Sequence, residues 1–154
     1  MSFRIEYHDA FALCGFGAQM TLREYGYNNN RARLLADLQA AGHLETLDAL
    51  GGDAFWAAWF CGDSPDEIYW VICRSVAATQ VPPAGAVVRE VAAHNYLVFE
   101  HEPGDDREVA WTADYYKAGT IGVKLNYNRE AWMEYYPDGY DGRYELWMSL
   151  ASDH

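Results

Sequence analysis

Trp132-Met133-Glu134-Tyr135-Tyr136 and Tyr144-Glu145-Leu146-Trp147-Met148 are joined by Pro137-Asp138-Gly139-Tyr140-Asp141-Gly142. Aromatic runs on either side of a Pro/Asp/Gly joint predict an antiparallel hairpin. Side chains alternate faces along a strand, so Glu134 shares a face with Trp132 and Tyr136, and Glu145 shares one with Trp147. A carboxylate among rings loses its hydration, which disfavours the charged form. The arrangement makes sense where something positive and flat arrives, drawn by the charge and by the ring faces. The competing reading puts either glutamate on a solvated face, where most glutamates lie.

The elements before this hairpin set its context. Gly104-Asp105-Asp106 opens a helix running through Trp111 and Tyr115, its acidic start suited to the positive end of the helix dipole. An extended segment, residues 88–102, precedes that helix. Ahead of the connector Val81-Pro82-Pro83-Ala84-Gly85 the same order occurs once before. Residues 3–22 read as extended, with a kink at Gly15-Phe16-Gly17. Asn28-Asn29-Asn30 caps a helix with Leu34, Leu35, Leu38 and Ala41 on one face. Gly42 is its natural stop, although Leu44, Leu47 and Leu50 allow an extension to Gly51-Gly52. Residues 54–61 and 67–77 form a second hairpin across Gly62-Asp63-Ser64-Pro65-Asp66. The expectation is an α+β fold in one domain, residues 1–154, with pseudo-repeats at about 1–80 and 88–152. Two β-α-β-β units make one antiparallel sheet with both helices on one face, and the groove between the helices is a natural ligand cleft.

Bulk composition narrows the function. The 154 residues are 51% hydrophobic and 22% charged, which is globular rather than disordered. Six Trp and twelve Tyr exceed what a core needs, so some rings are expected to line a cavity or an interface. Eleven basic against 23 acidic residues leave a net charge of −12, which repels phosphate backbones and attracts cations. Direct nucleic-acid binding is not expected. Cys14, Cys61 and Cys73 lie in apolar segments and read as buried reduced thiols. With no signal core and no run of membrane-spanning length, a cytoplasmic protein is expected.

Several segments resemble the GyrI-like small-molecule-binding domains, the effector-binding modules of some AraC- and MerR-type multidrug regulators. The run from Ala92 to Gly104, with Asn95-Tyr96-Leu97-Val98-Phe99-Glu100-His101 at its centre, is similar to that family's "AGkYavFxHxG" strand. Met133-Glu134-Tyr135-Tyr136 is similar to its "FExY" strand, and Glu145-Leu146-Trp147-Met148-Ser149-Leu150 to its closing strand. The match is best over residues 89–150. The family's Gly before the motif tyrosine is replaced by His94-Asn95, and residues 119–128 lack its Trp-rich pattern. The resemblance implies an aromatic cleft in which an acid recognises lipophilic, often cationic, molecules. Glu134 takes the place of that acid, Tyr136 is its same-face partner, and Tyr69 is the hairpin tyrosine that lines such pockets. Glu145 matches a recurring position but is open to facing the other side of the sheet, so it ranks second. No helix-turn-helix segment is visible, so the chain looks like the free-standing form of the module.

Other constellations carry less. His8, His43, His94, His101 and His154 show no metal-ligand spacing, so neither metal nor cofactor is expected. Gly15-Phe16-Gly17 lacks the third glycine of a dinucleotide loop, and no serine sits in a nucleophile elbow. Trp70, Phe99 and Leu146 read as core. Trp59, Trp111 and Phe16 are the rings expected on the cleft wall. No catalytic residue is assigned, although Glu134 with Tyr69 or Tyr136 has the chemistry of a general acid–base pair. The expected function is stand-alone binding or sequestration of amphipathic cationic small molecules. The alternatives are hydrolysis of electrophilic toxins by that Glu/Tyr pair, and effector-responsive control of a protein partner.

Overall fold

A computed structural model describes residues 3–21, 30–50, 55–61, 67–126 and 131–151. The strands are β1 Phe3–His8, β2 Phe11–Thr21, β3 Phe55–Cys61, β4 Glu67–Val76, β5 Val87–Val91, β6 His94–His101, β7 Trp132–Tyr136 and β8 Tyr144–Ser149. The helices are α1 Asn30–Ala40, α2 His43–Ala49 and α3 Arg107–Ile121. All strands join one antiparallel sheet in the order β1-β6-β8-β7-β3-β4-β2-β5. The fold is α+β, as expected, with duplicated strand–helix–hairpin units meeting at β3 and β7. The proposed turn at residues 62–66 and the caps Asn28 and Asn29 lie outside the described residues.

Two departures from the expected elements matter. The first unit carries two helices: Gly42, the expected stop, adopts φ 78 and ends α1, and the Leu44/Leu47 spacing belongs to a separate helix, α2, that starts at His43 rather than to an extension of α1. Each long extended segment is also broken, at residues 9–10 and 92–93, and its two parts pair with different halves of the sheet. Phe3 pairs with Phe99 and His8 with His94; past the break, Phe11 pairs with Val91 and Gly15 with Val87. The register crosses both breaks without a shift. β1–β2 and β5–β6 are therefore one bent two-stranded ribbon, and each unit lends its leading strand to the other.

That ribbon rolls the sheet. One face carries Trp56, Phe60, Val71, Tyr96, Val98, Met133 and Trp147, all buried, and no helix side chain belongs to this cluster. Rings at the bend cover it: His8 lies 6.2 Å from Trp56 and 5.8 Å from Trp147, and Phe11 lies 5.4 Å from Trp56. Gly15 and Gly17 permit the close approach of β2 to β4, since a Cβ on either would sit 2.0 Å from the Ile72 or Trp70 carbonyl oxygen. Cys14 and Cys73 are buried free thiols, and burial pushes the pKa of each up.

The helices cover the other face. Leu35 and Leu38 of α1 and Leu44 and Leu47 of α2 pack over Phe16, Ile68, Trp70 and Ile72. α3 starts cleanly because the Asp106 side chain caps the Val109 N–H, and it ends at Gly122 with φ 87. Its Ala118 and Ile121 pack with Leu97 and Phe99 of β6. α1 and α2 thus sit over β2 and β4, α3 sits over β6, and the central strands β3 and β7 floor the stretch between them. Among the described residues, no helix is long and apolar enough to cross a membrane.

Candidate functional site

Glu134 lies in the middle of β7 at the centre of this floor, and it is 0% exposed. Its cross-strand neighbours are Ala57 on β3 and Leu146 on β8. The alanine leaves the space beside the carboxylate to larger groups arriving from the helix side. Trp111, on the inner face of α3, donates its indole N–H to Glu134 Oε2 at 2.7 Å. The Tyr136 hydroxyl, two residues along the same face, donates to Oε1 in a very short contact. Both bonds are charge-assisted, and together they replace part of the hydration lost on burial.

Arg107 supplies the balancing charge. It sits at the first position of α3, where a cation opposes the helix dipole, so its position needs another cause. The guanidinium donates from Nε to the Tyr136 hydroxyl at 2.8 Å and from a terminal nitrogen to the Tyr140 carbonyl at 2.7 Å. It also stacks over Tyr140, Tyr144 and Tyr136 at 4.4, 5.0 and 5.2 Å. Burial pulls its pKa down, but Tyr136, Tyr140 and Glu134 outweigh this and the net shift is upward. A cage of three tyrosines around a cation therefore adjoins the buried acid, and the protein's own arginine occupies it.

The wall is indole. Trp59 meets Trp111 edge-on at 5.2 Å, and Trp111 stacks on Trp132 at 5.9 Å. Trp132 is buried, and its indole N–H has no hydrogen-bond partner among the described residues. Phe55 closes the opposite end against Tyr136 and Tyr140.

Of the residues singled out from sequence, Glu134, Tyr136, Trp111 and Trp59 come together here. Phe16 shares their face but stacks on His43 of α2 at 3.9 Å. Tyr69 and Glu145 lie across the sheet. Tyr69 packs against the inner cluster with Arg89 over its ring at 5.7 Å, and burial raises its pKa against the opposing effect of Arg89. Glu145 is held by Arg4 at 3.1 and 3.3 Å and by the Trp147 indole at 3.1 Å. That alternation follows from strand geometry: Glu134 is paired with Leu146, so Glu145 must point the other way.

Behind the cage lies a second buried polar group. His101 contacts Asp114 at 2.5 Å through Nε2 and Asp105 at 3.3 Å through Nδ1, and its ring stacks on Tyr144. Burial lowers the imidazole pKa, but the two carboxylates outweigh it and the net is upward. This pair ties α3 to β6. Reading His101 only for metal spacing missed it, as it missed Arg107 and Tyr140.

The family model described as "Integron-associated effector binding protein" (Cass2) matches residues 4–150, and the chain belongs to this family, consistent with a GyrI-like domain. The structure of SAV2435 bound to tetraphenylphosphonium is similar, with a TM-score of 0.78 at 15% identity, over 99% of this chain and 95% of that one. An integron cassette protein from Vibrio cholerae scores 0.69 at 16% identity, over 97% and 95%. A hydrolase from Listeria innocua scores 0.53 at 10% identity, over 97% and 91%. No curated protein sequence matches the chain significantly.

Proposed function

We propose that this protein binds amphipathic cationic small molecules on the β3–β7 floor, with Glu134 as the anionic anchor. The observation that carries the reading is a carboxylate with no solvent exposure, held by Trp111 and Tyr136 in a recess of indole and phenol rings. Arg107, linked to it through the Tyr136 hydroxyl, is the protein's own counter-charge, and a ligand cation in the recess would meet the same carboxylate. The lipophilic cation held by SAV2435 supports the same chemistry. Each ring facing a ligand cation contributes roughly 0.5–2 kcal/mol. A few rings and one desolvated charge pair reach about −8 kcal/mol, which is micromolar binding. The residues proposed to touch ligand are Glu134, Tyr136, Trp111, Trp59 and Trp132.

Titration with tetraphenylphosphonium, followed by tryptophan fluorescence, tests this. Saturable quenching is expected, weakened at least about tenfold by Glu134→Gln, one step of 1.4 kcal/mol. Equal binding of neutral triphenylphosphine oxide, together with no effect of Glu134→Gln, overturns the ionic part.

A hydrolytic reading is the alternative, supported by the direct Tyr136–Glu134 contact and by the hydrolase among the similar structures. Catalytic product release from an electrophilic substrate, abolished by Glu134→Gln, favours it; stoichiometric binding without product excludes it.

A further inference from the structure

Among the described residues β1 is an edge strand, paired with β6 alone. On the sheet face that carries α3, this strand presents three large apolar residues in alternation, Phe3 at 45%, Ile5 at 53% and Tyr7 at 59% exposure. An edge with unspent backbone hydrogen bonds and an apolar stripe is what proteins ordinarily suppress with charge, proline or a bulge. No proline or bulge interrupts β1, and its two charges, Arg4 and Glu6, lie on the opposite face from the stripe. The opposite edge, β5, occupies the equivalent place in the other unit, and it shows no large exposed apolar residue.

The sequence of β1 says what fits there. Phe3-Arg4-Ile5-Glu6-Tyr7 is complementary to its own reverse. In an antiparallel pair centred on Ile5, the residue meets its own copy, Phe3 meets Tyr7, and Arg4 meets Glu6 on the other face. Aromatic and opposite-charge cross-strand pairs are the favourable ones, and no like charges are opposed. Arg4 and Glu6 already form a 2.7 Å ion pair within the chain, so both side chains lie at the correct height for exchange. The partner sequence Val87-Val88-Arg89-Glu90-Val91 on β5 has no such symmetry.

We propose that two copies of this chain associate through β1, edge to edge and antiparallel, about a twofold axis passing through Ile5. The sheet becomes continuous across the dimer, and the ligand floor of each copy, on β3 and β7, remains clear of the joint. A twofold axis requires a patch that matches itself, and this strand provides one. Joining six-residue strands covers less than the roughly 1,200–2,000 Å² of a standard interface. The dimer is therefore concentration-dependent rather than obligate.

Sedimentation velocity across about 1–200 µM tests the association, because micromolar-scale dissociation falls inside that window. The expected result is a monomer–dimer shift, with the dissociation constant raised at least tenfold by Ile5→Lys and unchanged by Glu90→Lys on the opposite edge. The register is tested by cysteine substitution, since directly opposed residues reach disulfide distance. Ile5→Cys should crosslink with itself under mild oxidation. Phe3→Cys should crosslink only when mixed with Tyr7→Cys, and the unsubstituted chain sets the background. A strictly monomeric protein, a dimer indifferent to Ile5→Lys, or equal self-crosslinking of Phe3→Cys overturns the proposal. Because it concerns a surface remote from Glu134, loss of ligand binding leaves it standing.

Discussion

Glu134 and Arg107 are joined through one oxygen: the guanidinium donates to the Tyr136 hydroxyl at 2.8 Å, and that hydroxyl donates to the carboxylate. The acid on β7 and the cation on α3 thus share the tyrosine hydroxyl that lies between them.

Removing that hydroxyl should cost stability. Tyr136→Phe takes a donor from a buried carboxylate and an acceptor from a half-buried guanidinium, worth about 1.5–3 kcal/mol for hydrogen bonds to charged groups. Tyr140→Phe keeps the ring and the backbone carbonyl that Arg107 uses, so it should stay within about 0.5 kcal/mol of the parent. Urea unfolding of the two variants side by side checks the difference.

Arg107 already occupies the tyrosine cage that an incoming cation would use. If ligands take its place, Arg107→Gln should lower stability while raising affinity for a lipophilic cation several-fold. The same substitution in a site that accommodates ligand and arginine together would leave affinity unchanged. Isothermal titration with tetraphenylphosphonium, paired with a thermal melt, separates the two effects.

His101 sets a pH dependence. Its folded-state pKa lies above the ordinary 6.5, because Asp114 and Asp105 together outweigh burial. Stability from this group is therefore fully present below about pH 6.5, and it is lost as pH rises through the raised folded value. The groups facing the ring are Asp114, Asp105 and Tyr144. The urea midpoint should be higher at pH 6.0 than at pH 8.5, and His101→Gln should flatten that slope. Asp114→Asn should flatten it too, with a loss of about 3 kcal/mol at pH 6.0 from breaking a buried pair.

Gly15→Ala should destabilise by about 3 kcal/mol, at the upper end for overpacked sites, since its methyl would meet the Ile72 carbonyl and the Cys73 side chain. Gly104→Ala, where a Cβ meets nothing within 4 Å, should be near neutral. Thermal denaturation of both variants measures the contrast.

Local patterns made part of this molecule readable. The β7–β8 hairpin announces itself through aromatic alternation around a Pro/Asp/Gly turn, and α3 through its acidic opening. The placement of Glu134, Trp132 and Tyr136 on one face follows from the same alternation. The exchange of β1 and β5 between units was not readable, because pairing between strands some 90 residues apart leaves no trace in a short window. The side taken by Tyr69 was not readable either, and the opposite orientation of Glu145 could be raised but not decided, because both depend on the pairing register between strands. Arg107 did leave a faint signal: a lone cation among the acids at a helix start, where the dipole disfavours it.

The bent ribbon also dictates an order of events during synthesis. Arg4 of β1 meets Glu100 across 96 positions of chain, so β1 has no place to dock until β6, at the start of the second unit, has been made. Contacts of such long sequence separation slow folding. Until residue 99 has been translated, β1 presents Phe3, Ile5 and Tyr7 beside an unpaired backbone, an interval in which a holding chaperone has something to grip.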